Sequence, residues 1–421
     1  MKVTFCAYDT SDNIDGPTAW IKRLLPYLRE NGIEVRILFF ATEKKNLTAY
    51  NYFVNLGFEC RIISWYLYYE EKVMAILDDI KNNPPDIFIP HYFAFACGAA
   101  RWVQQCGIPT IMVLHNDNAF HYALVEEYAA KNTGYDVSAI VAVSKLMTEE
   151  VYKRTIRHDN IYFIPCGAPL SQEKVDAPSD KNIGLVYTGR IIQHQKRILD
   201  LAHAFCRVAK EIPGTTCNIY GSGLSEKPMK KILNTEGKGL RVNYGGKIES
   251  SLVQKYLLQN HIFVLLSDHE GLPIALMEAM GCGLVPVCSN IRSGITELIE
   301  DGKNGILVND REDAFVEAVK ILKEDPEKWR SMSVAAREKI ATEYSEDICN
   351  KKWLNLLNEL NEKVTPKKVL TIPSIKEIRG QVTLRKELKE YCQVKPFFLL
   401  IPYYKALLLM RILRWKFFIK G

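Results

Sequence analysis

Short β-rich apolar runs alternate with stretches of helical spacing along the first part of the chain. They are VTFCAY, a polar loop and a helical pattern from Thr18 to Asn31, then EVRILFF, DIFIP, PTIMVLH and AIVAVS. Runs of this length, bounded by turn residues and separated by helical patterns, predict βαβ units around a parallel sheet. Pro26, inside the first helical pattern, weakens that helix or kinks it. The polar stretch QEKVDAPSDKN, residues 172–182, breaks the alternation and reads as a linker. Beyond it the rhythm restarts with GLVYTGR, a helix around Ile198 to Lys210, TCNIYGSG, a helical stretch near Lys230, LRVNYGG and HIFVLLS. GLVPVCSN adds a strand, and ELIEDGKNGILVN reads as a helix end, a turn and another strand. Helical patterns then pass through Trp329, Tyr344 and Trp353 to a polar break near Pro366. The expected fold class is α/β: two doubly wound domains, residues 1–171 and 183–343, joined by the 172–182 linker.

A length of 421 residues agrees with two domains. Apolar and charged fractions of 48% and 25% are those of a globular protein, which argues against disorder and against a polytopic membrane protein. The net charge of +6 is small and gathers toward the C-terminal end, without a basic stripe interleaved with aromatics, so nucleic acid is not an expected partner. Eleven cysteines are scattered singly, with no C-x-x-C and no Cys/His cluster of zinc spacing. That pattern favours reduced thiols in the cytoplasm and implies no metal site. The N-terminus meets polar residues before an export signal core forms, and no apolar run reaches the roughly 18 residues of a membrane span.

The stretch SDHEGLPIALMEAMGCG, residues 267–283, carries the most chemistry. Leu265 and Leu266 end a buried strand, Ser267 to Leu272 form a loop, and Pro273 takes a first helical position before IALMEAM. Glu270 therefore lies on the loop and Glu278 in the helix. Residues eight apart are rotated by about 80° on a helix, so the two carboxylates have separate jobs. Strand ends and helix N-termini bind phosphate in such folds, which makes the amides of Leu272 to Ala275 an anion cradle. Glu278, a turn into the helix, suits the two hydroxyls of a ribose, and Glu270 the group beyond the phosphates. The bland alternative is a pair of solvated glutamates. Arg190, past a strand end in GLVYTGRIIQHQKR, and Lys196 add a planar fork and a point charge that stabilise a departing diphosphate without a metal. YGSG, residues 220–223, lacks the full dinucleotide fingerprint and reads as a tight turn.

These pieces together resemble the retaining glycosyltransferases of family 4, with the GT-B fold: Gly189-Arg190 with Lys196, YGSG, EGLPIALMEAMGCG, and ELIEDGKNGILV. AVSKLMTEEV and IPCGAPL look like that family's stretches before its interdomain linker, and the likeness covers roughly residues 1–360. The resemblance implies two Rossmann-like domains facing across a cleft, with a nucleotide-sugar donor, such as a UDP- or GDP-sugar, held mainly by the second. It implies that residues 344–365 form a helix returning to the first domain. Carried over residue by residue, Arg190 and Lys196 bind the diphosphate, Glu278 the ribose and Glu270 the sugar, assisted by backbone at Leu272, Pro273 and Ile274. Backbone near Ile248 meets the base. Gly16 approaches the phosphates, although this chain has Asp15-Gly16 where the family has a glycine pair. His115, at a strand end, matches the family's active-site histidine and suits a sugar hydroxyl or proton handling. His121, His194 and His269 are lesser candidates. Catalysis is thereby assigned to His115, Glu270, Arg190 and Lys196.

No D-x-D triplet occurs, although Asp268 and Glu270 form D-x-E, so no cofactor and a metal-independent reaction are expected, and the resemblance implies transfer with retention. The alternatives are a GT-B epimerase or phosphorylase, or a non-catalytic binding or scaffolding protein. Residues 366–421 form a tail whose last part, 396–421, is apolar and helical in pattern, with five Lys or Arg residues and no acidic one. Too often interrupted to span a bilayer, it is a candidate anchor on anionic lipid, against the plainer option of packing on the protein. The expected setting is cytoplasmic, peripheral on the inner face of the cell membrane, with a lipid-linked or other cell-envelope glycan as acceptor.

Overall fold

The computed structural model describes residues 1–10, 16–43, 45–130, 136–179, 182–363, 368–381 and 386–389. The tail at 396–421, and with it the proposed lipid anchor, lies outside the described residues.

β1 (Lys2–Asp9), β2 (Glu34–Ala41), β3 (Glu59–Ser64), β4 (Ile87–His91), β5 (Thr110–Leu114), β6 (Ala139–Ala142) and β7 (Ile161–Phe163) form one parallel sheet, ordered β3-β2-β1-β4-β5-β6-β7. β8 (Ile183–Thr188), β9 (Thr215–Tyr220), β10 (Val242–Gly246), β11 (Ile262–Leu265), β12 (Val285–Ser289) and β13 (Ile306–Val308) form the second, ordered β10-β9-β8-β11-β12-β13. Helices cover both faces of a parallel sheet, so its central strands are buried on both sides and read as unbroken apolar runs. Every residue of β4, β5, β6, β8, β11 and β12 is buried. In each sheet the strand order reverses once, between β1 and β4 and between β8 and β11. Loops leaving those neighbouring strands diverge and open a crevice, which places the ligand sites.

The first helix, Gly16–Glu30, runs through Pro26. Proline supplies no N–H, so the carbonyl of Lys22 loses its helical donor, and the Tyr52 hydroxyl donates to it at 3.3 Å. The last long helix, Glu346–Glu362, returns to the first domain. Its Trp353 lies 5.5 Å from Trp20 of the first helix, and its Glu359 accepts from the Tyr162 hydroxyl at 3.0 Å. It begins two residues beyond the expected start at 344, because residues Ile340–Tyr344 form a wider π turn before it.

The chain crosses between the sheets twice, and the crossings touch. Ala168 N–H donates to the Tyr344 carbonyl at 3.0 Å and Glu346 N–H donates back to Ala168 at 2.9 Å. Elsewhere Glu297, of the second domain, accepts from the amides of Lys145 and Leu146 at 2.8 Å each. A carboxylate at the start of a helix offsets its unsatisfied N–H groups and its dipole; here the helix is Lys145–Tyr152 of the other domain.

Candidate active site

Two loops of the second domain are sewn together at its crevice. After β8, a four-residue helix, Gln193–Lys196, ends at Arg197, whose left-handed backbone (φ 51°) restarts a new helix at Ile198. This break turns Lys196 toward the loop after β11, where its Nζ meets Glu270 Oε1 at 2.6 Å. Both groups are largely buried, at 14% and 5% side-chain exposure. Gln195 bridges the same loops: its Oε1 accepts from Arg190 at 2.7 Å and its Nε2 donates to the His269 carbonyl at 3.1 Å. Asp268 N–H donates to the Gln195 carbonyl at 2.9 Å. Arg190, Lys196 and Glu270 are therefore brought together, held by Gln195, which sequence reasoning passed over.

Close backbone packing adds the next loops outward. A Cβ at Gly221, where φ is 143°, would stand 1.8 Å from the Gly189 carbonyl oxygen, so the YGSG turn requires glycine there. Gly221 N–H in turn donates to the Gly246 carbonyl at 2.8 Å, which sets the half-buried Ile248 at the outer end of the same row of loops.

Pro273 is the residue before the helix rather than its first position: the helix is Ile274–Gly281 and Pro273 has extended backbone. The loop it ends is wedged between the domains. A Cβ at Gly271 would lie 2.1 Å from the His115 carbonyl oxygen, and 3.2 Å from Asn116 Cα. One at Gly16 would approach Ile274 Cδ1 to 3.0 Å, and one at Gly294 would meet the Gly271 carbonyl at 2.1 Å. Gly271→Ala should therefore push the domains apart at the crevice, with turnover falling at least tenfold while secondary structure by circular dichroism stays intact. Normal turnover in that variant would mean that the narrow approach is not needed.

Glu278 points to a partner that the sequence did not suggest. Arg23, of the first helix, reaches across the crevice and donates to Glu278 Oε1 at 3.1 Å and to the Gly167 carbonyl at 3.1 Å, with Glu346 at 3.8 Å. Burial raises the Glu278 pKa, and Arg23 works against that rise. The one available signal was an arginine three residues after buried Trp20, which helical spacing puts near the core-facing side.

His115 sits at the end of β5 with both ring nitrogens engaged inside the first domain. Nε2 is 2.6 Å from His91 Nε2, and Nδ1 is 3.6 Å from Cys166 Sγ. Burial pushes the Cys166 thiol far up. His91 is itself a left-handed residue (φ 61°) at the end of β4. Burial and the neighbouring imidazole keep His115 neutral, and His91 is lowered to about 3. His115 thus meets the crevice through its carbonyl beside Gly271, while its ring faces His91, Cys166 and Trp20. Asp268 is engaged by Arg311 and lies 3.6 Å from Arg197, turned to cations of its own domain.

Two family models match the chain: "Glycosyltransferase Family 4" over residues 14–172 and "Glycosyl transferases group 1" over residues 170–339. Among curated proteins, the chain is similar to the GtfA subunit of the UDP-N-acetylglucosamine–peptide N-acetylglucosaminyltransferase of Streptococcus pneumoniae. Identity is 26%, over 50% of this chain and 43% of that protein. It is also 32% identical to the amylovoran biosynthesis glycosyltransferase AmsK of Erwinia amylovora, over 39% of this chain and 42% of that one. The match thus spans less than half the length of either relative. Among solved structures, Anabaena HepE in complex with UDP-glucose superposes with a TM-score of 0.66 at 16% identity, covering 85% of this chain and all of that one.

Proposed function

The chain belongs to the group 1 glycosyltransferases, with the GT-B fold, and from that premise we propose that it moves a sugar from a nucleoside-diphosphate sugar to a glycan or lipid-linked acceptor of the cell envelope. The observation that carries this reading is the buried Lys196–Glu270 pair beside Arg190, at the point where the second sheet reverses its strand order. Arg190 and Lys196 hold the diphosphate, and Glu270 accepts hydrogen bonds from the sugar hydroxyls. The first-turn amides at Ile274 and Ala275 add donors toward the phosphates. Glu278 binds the ribose with its remaining oxygen while Arg23 holds the other. Gly16 gives the phosphates room on the opposite wall, and Ile248 lies at the base.

Arriving phosphate oxygens compete with Glu270 for the ammonium of Lys196 and release the carboxylate to the sugar. The charge that develops on the leaving diphosphate then falls on two fixed cations in a crevice of low dielectric, where such stabilisation is strongest. We propose a retaining, front-face transfer in which the leaving phosphate helps to deprotonate the acceptor, with no metal. His115 serves this reaction through its carbonyl and the packing behind it. The likeness to AmsK, a glycosyltransferase of amylovoran biosynthesis, supports a glycan as acceptor, whereas the name of GtfA gives a peptide; both support sugar transfer. No helix among the described residues is long and apolar enough to cross a membrane, and a cytoplasmic location with peripheral attachment through 396–421 completes the proposal.

Incubating the full chain with a panel of UDP- and GDP-sugars and following each donor by mass spectrometry tests the reading. Transfer or slow hydrolysis supports it; an isomerised donor points to an epimerase, and binding without turnover to a scaffold. Turnover should survive EDTA, and its loss would rule out the metal-free route.

A further inference from the structure

The second domain takes hold of the first at the ends of two neighbouring strands. β5 and β6 pair with Leu114 beside Ala142, so His115 and the stretch from Val143 to Lys145 leave the sheet side by side. Gly271 lies against the first of these ends, beside the His115 carbonyl. Glu297 lies against the second.

The helix Lys145–Tyr152 begins with backbone N–H groups that its own domain satisfies only in part. Ser144 Oγ accepts from Met147 at 3.1 Å. The two preceding amides leave the domain for their acceptors: Lys145 donates to Glu297 Oε2 and Leu146 to Glu297 Oε1, at 2.8 Å each. One helix cap is thus split between two domains. An amide side chain in place of this carboxylate would answer only one of the two N–H groups, because its NH2 would face the other. Burial raises the Glu297 pKa, while the two amides and the Lys145 ammonium oppose the rise. Arg292 touches the same helix at Glu150, at 2.7 Å, but its side chain is 64% exposed, and an ion pair open to solvent contributes little.

Glu297 is joined in turn to the Glu270 loop. It stands on the short helix Ile295–Leu298, whose Ile295 and Leu298 side chains are fully buried. Ser293 braces the start of that helix: its Oγ accepts from the Ile295 N–H at 3.2 Å and its carbonyl from the Thr296 hydroxyl at 3.0 Å. Gly294 donates its N–H to the Gly271 carbonyl at 2.8 Å. One braced turn therefore carries both the carboxylate that grips the first domain and the hydrogen bond that holds Gly271, the neighbour of Glu270. Close-packed groups pass a displacement on, since no free space absorbs it.

We propose that Glu297 is a positioning residue for sugar transfer: by binding the Lys145 and Leu146 amides it fixes, through Gly294 and Gly271, how the Glu270 loop stands against the end of β5. The inference rests on the transferase reading and adds to it a residue that touches neither donor nor acceptor. Arg190 and Lys196 belong to a different loop, so holding the nucleotide and aligning the two domains for transfer are separate tasks. A helix cap and nothing more would stabilise the fold and leave turnover per folded molecule unchanged.

Glu297→Ala and Glu297→Gln, with Arg292→Ala as control, can be compared in the full chain. The measurements are calorimetric titration of UDP or GDP, turnover of the donor that the nucleotide-sugar panel identifies, and amide hydrogen exchange. Each variant should bind the nucleotide at one site per chain, with affinity within about threefold of wild type. That titration counts folded molecules. Per site, kcat should fall about tenfold to a hundredfold in Glu297→Ala and recover only in part in Glu297→Gln, with donor KM little changed. Arg292→Ala should keep kcat within about twofold. In both Glu297 variants exchange should quicken at the Lys145 and Leu146 amides and also at Gly294. Wild-type kcat per site in both, or quickened exchange that leaves Gly294 untouched, overturns the proposal. A wild-type chain that turns over no nucleotide sugar sinks the transferase reading and this proposal with it, whereas wild-type turnover that ignores Glu297 sinks this one alone.

Discussion

Replacing Lys196 with alanine should lower donor turnover by roughly a hundredfold to a thousandfold, the loss typical of removing one fixed stabiliser of developing negative charge. It should also cost stability. Glu270, with 5% of its side chain exposed, would lose its counter-ion; breaking a buried pair from one side typically costs about 3 to 5 kcal/mol. The two effects come apart in the double variant Lys196→Ala with Glu270→Gln. A neutral amide no longer needs the ammonium, so chemical-denaturation midpoints should recover much of the loss while single-turnover rates stay low. If Lys196→Ala alone left both turnover and midpoint near wild type, the pair would be an ordinary surface contact and the diphosphate would have to be held elsewhere.

The second large effect belongs to Arg23. Its guanidinium is the cation that opposes the burial-driven rise in the Glu278 pKa, and it joins Glu278 to Gly167 and Glu346. In Arg23→Ala the burial contribution stands alone, Glu278 takes up its proton at a higher pH, and the ribose loses its carboxylate sooner on acidification. Donor KM should rise about tenfold at neutral pH, as for loss of a charged hydrogen bond, and should climb further as pH falls. The stability sign is opposite to that of a well-paired carboxylate. A folded-state pKa above the unfolded value means stability is lost as pH rises from the unfolded pKa through the folded one. Glu278→Gln should flatten that part of the profile while still weakening the donor. A donor KM in Arg23→Ala that matched wild type at every pH would detach Arg23 from the site.

Much of the second domain was legible because its chemistry is local. GLVYTGR and HIFVLLS announce buried strands, and Arg190, Lys196 and Glu270 fall in the loops just beyond them, so strand ends alone bring them to one crevice. What stayed hidden depends on which strands become neighbours and which residues cross between domains. Gln195 looks like any loop glutamine until β8 and β11 are adjacent. Arg23 meets Glu278 across 255 positions of sequence, and His91 meets His115 only once β4 pairs with β5. Those contacts have no period or spacing to read. His115 was found as a residue, but its ring neighbours, Cys166 and His91, and the packing of its carbonyl beside Gly271 come from distant parts of the chain. Pro273 misled by one position because its fixed φ suits both the first helical residue and the residue before it.

The two crossings between the sheets, tied by the hydrogen bonds among Ala168, Tyr344 and Glu346, have a mechanical meaning. A single flexible crossing would let one domain tumble, slide and twist against the other. Two crossings pinned together along a short line leave one soft coordinate, rotation about that line, as in a book held at its spine. Arg23, which joins Glu278 to Gly167 and Glu346 beside this line, and Glu297, which accepts from Lys145 and Leu146, add further ties between the domains. The placement of one sheet relative to the other then reduces to the value of one angle.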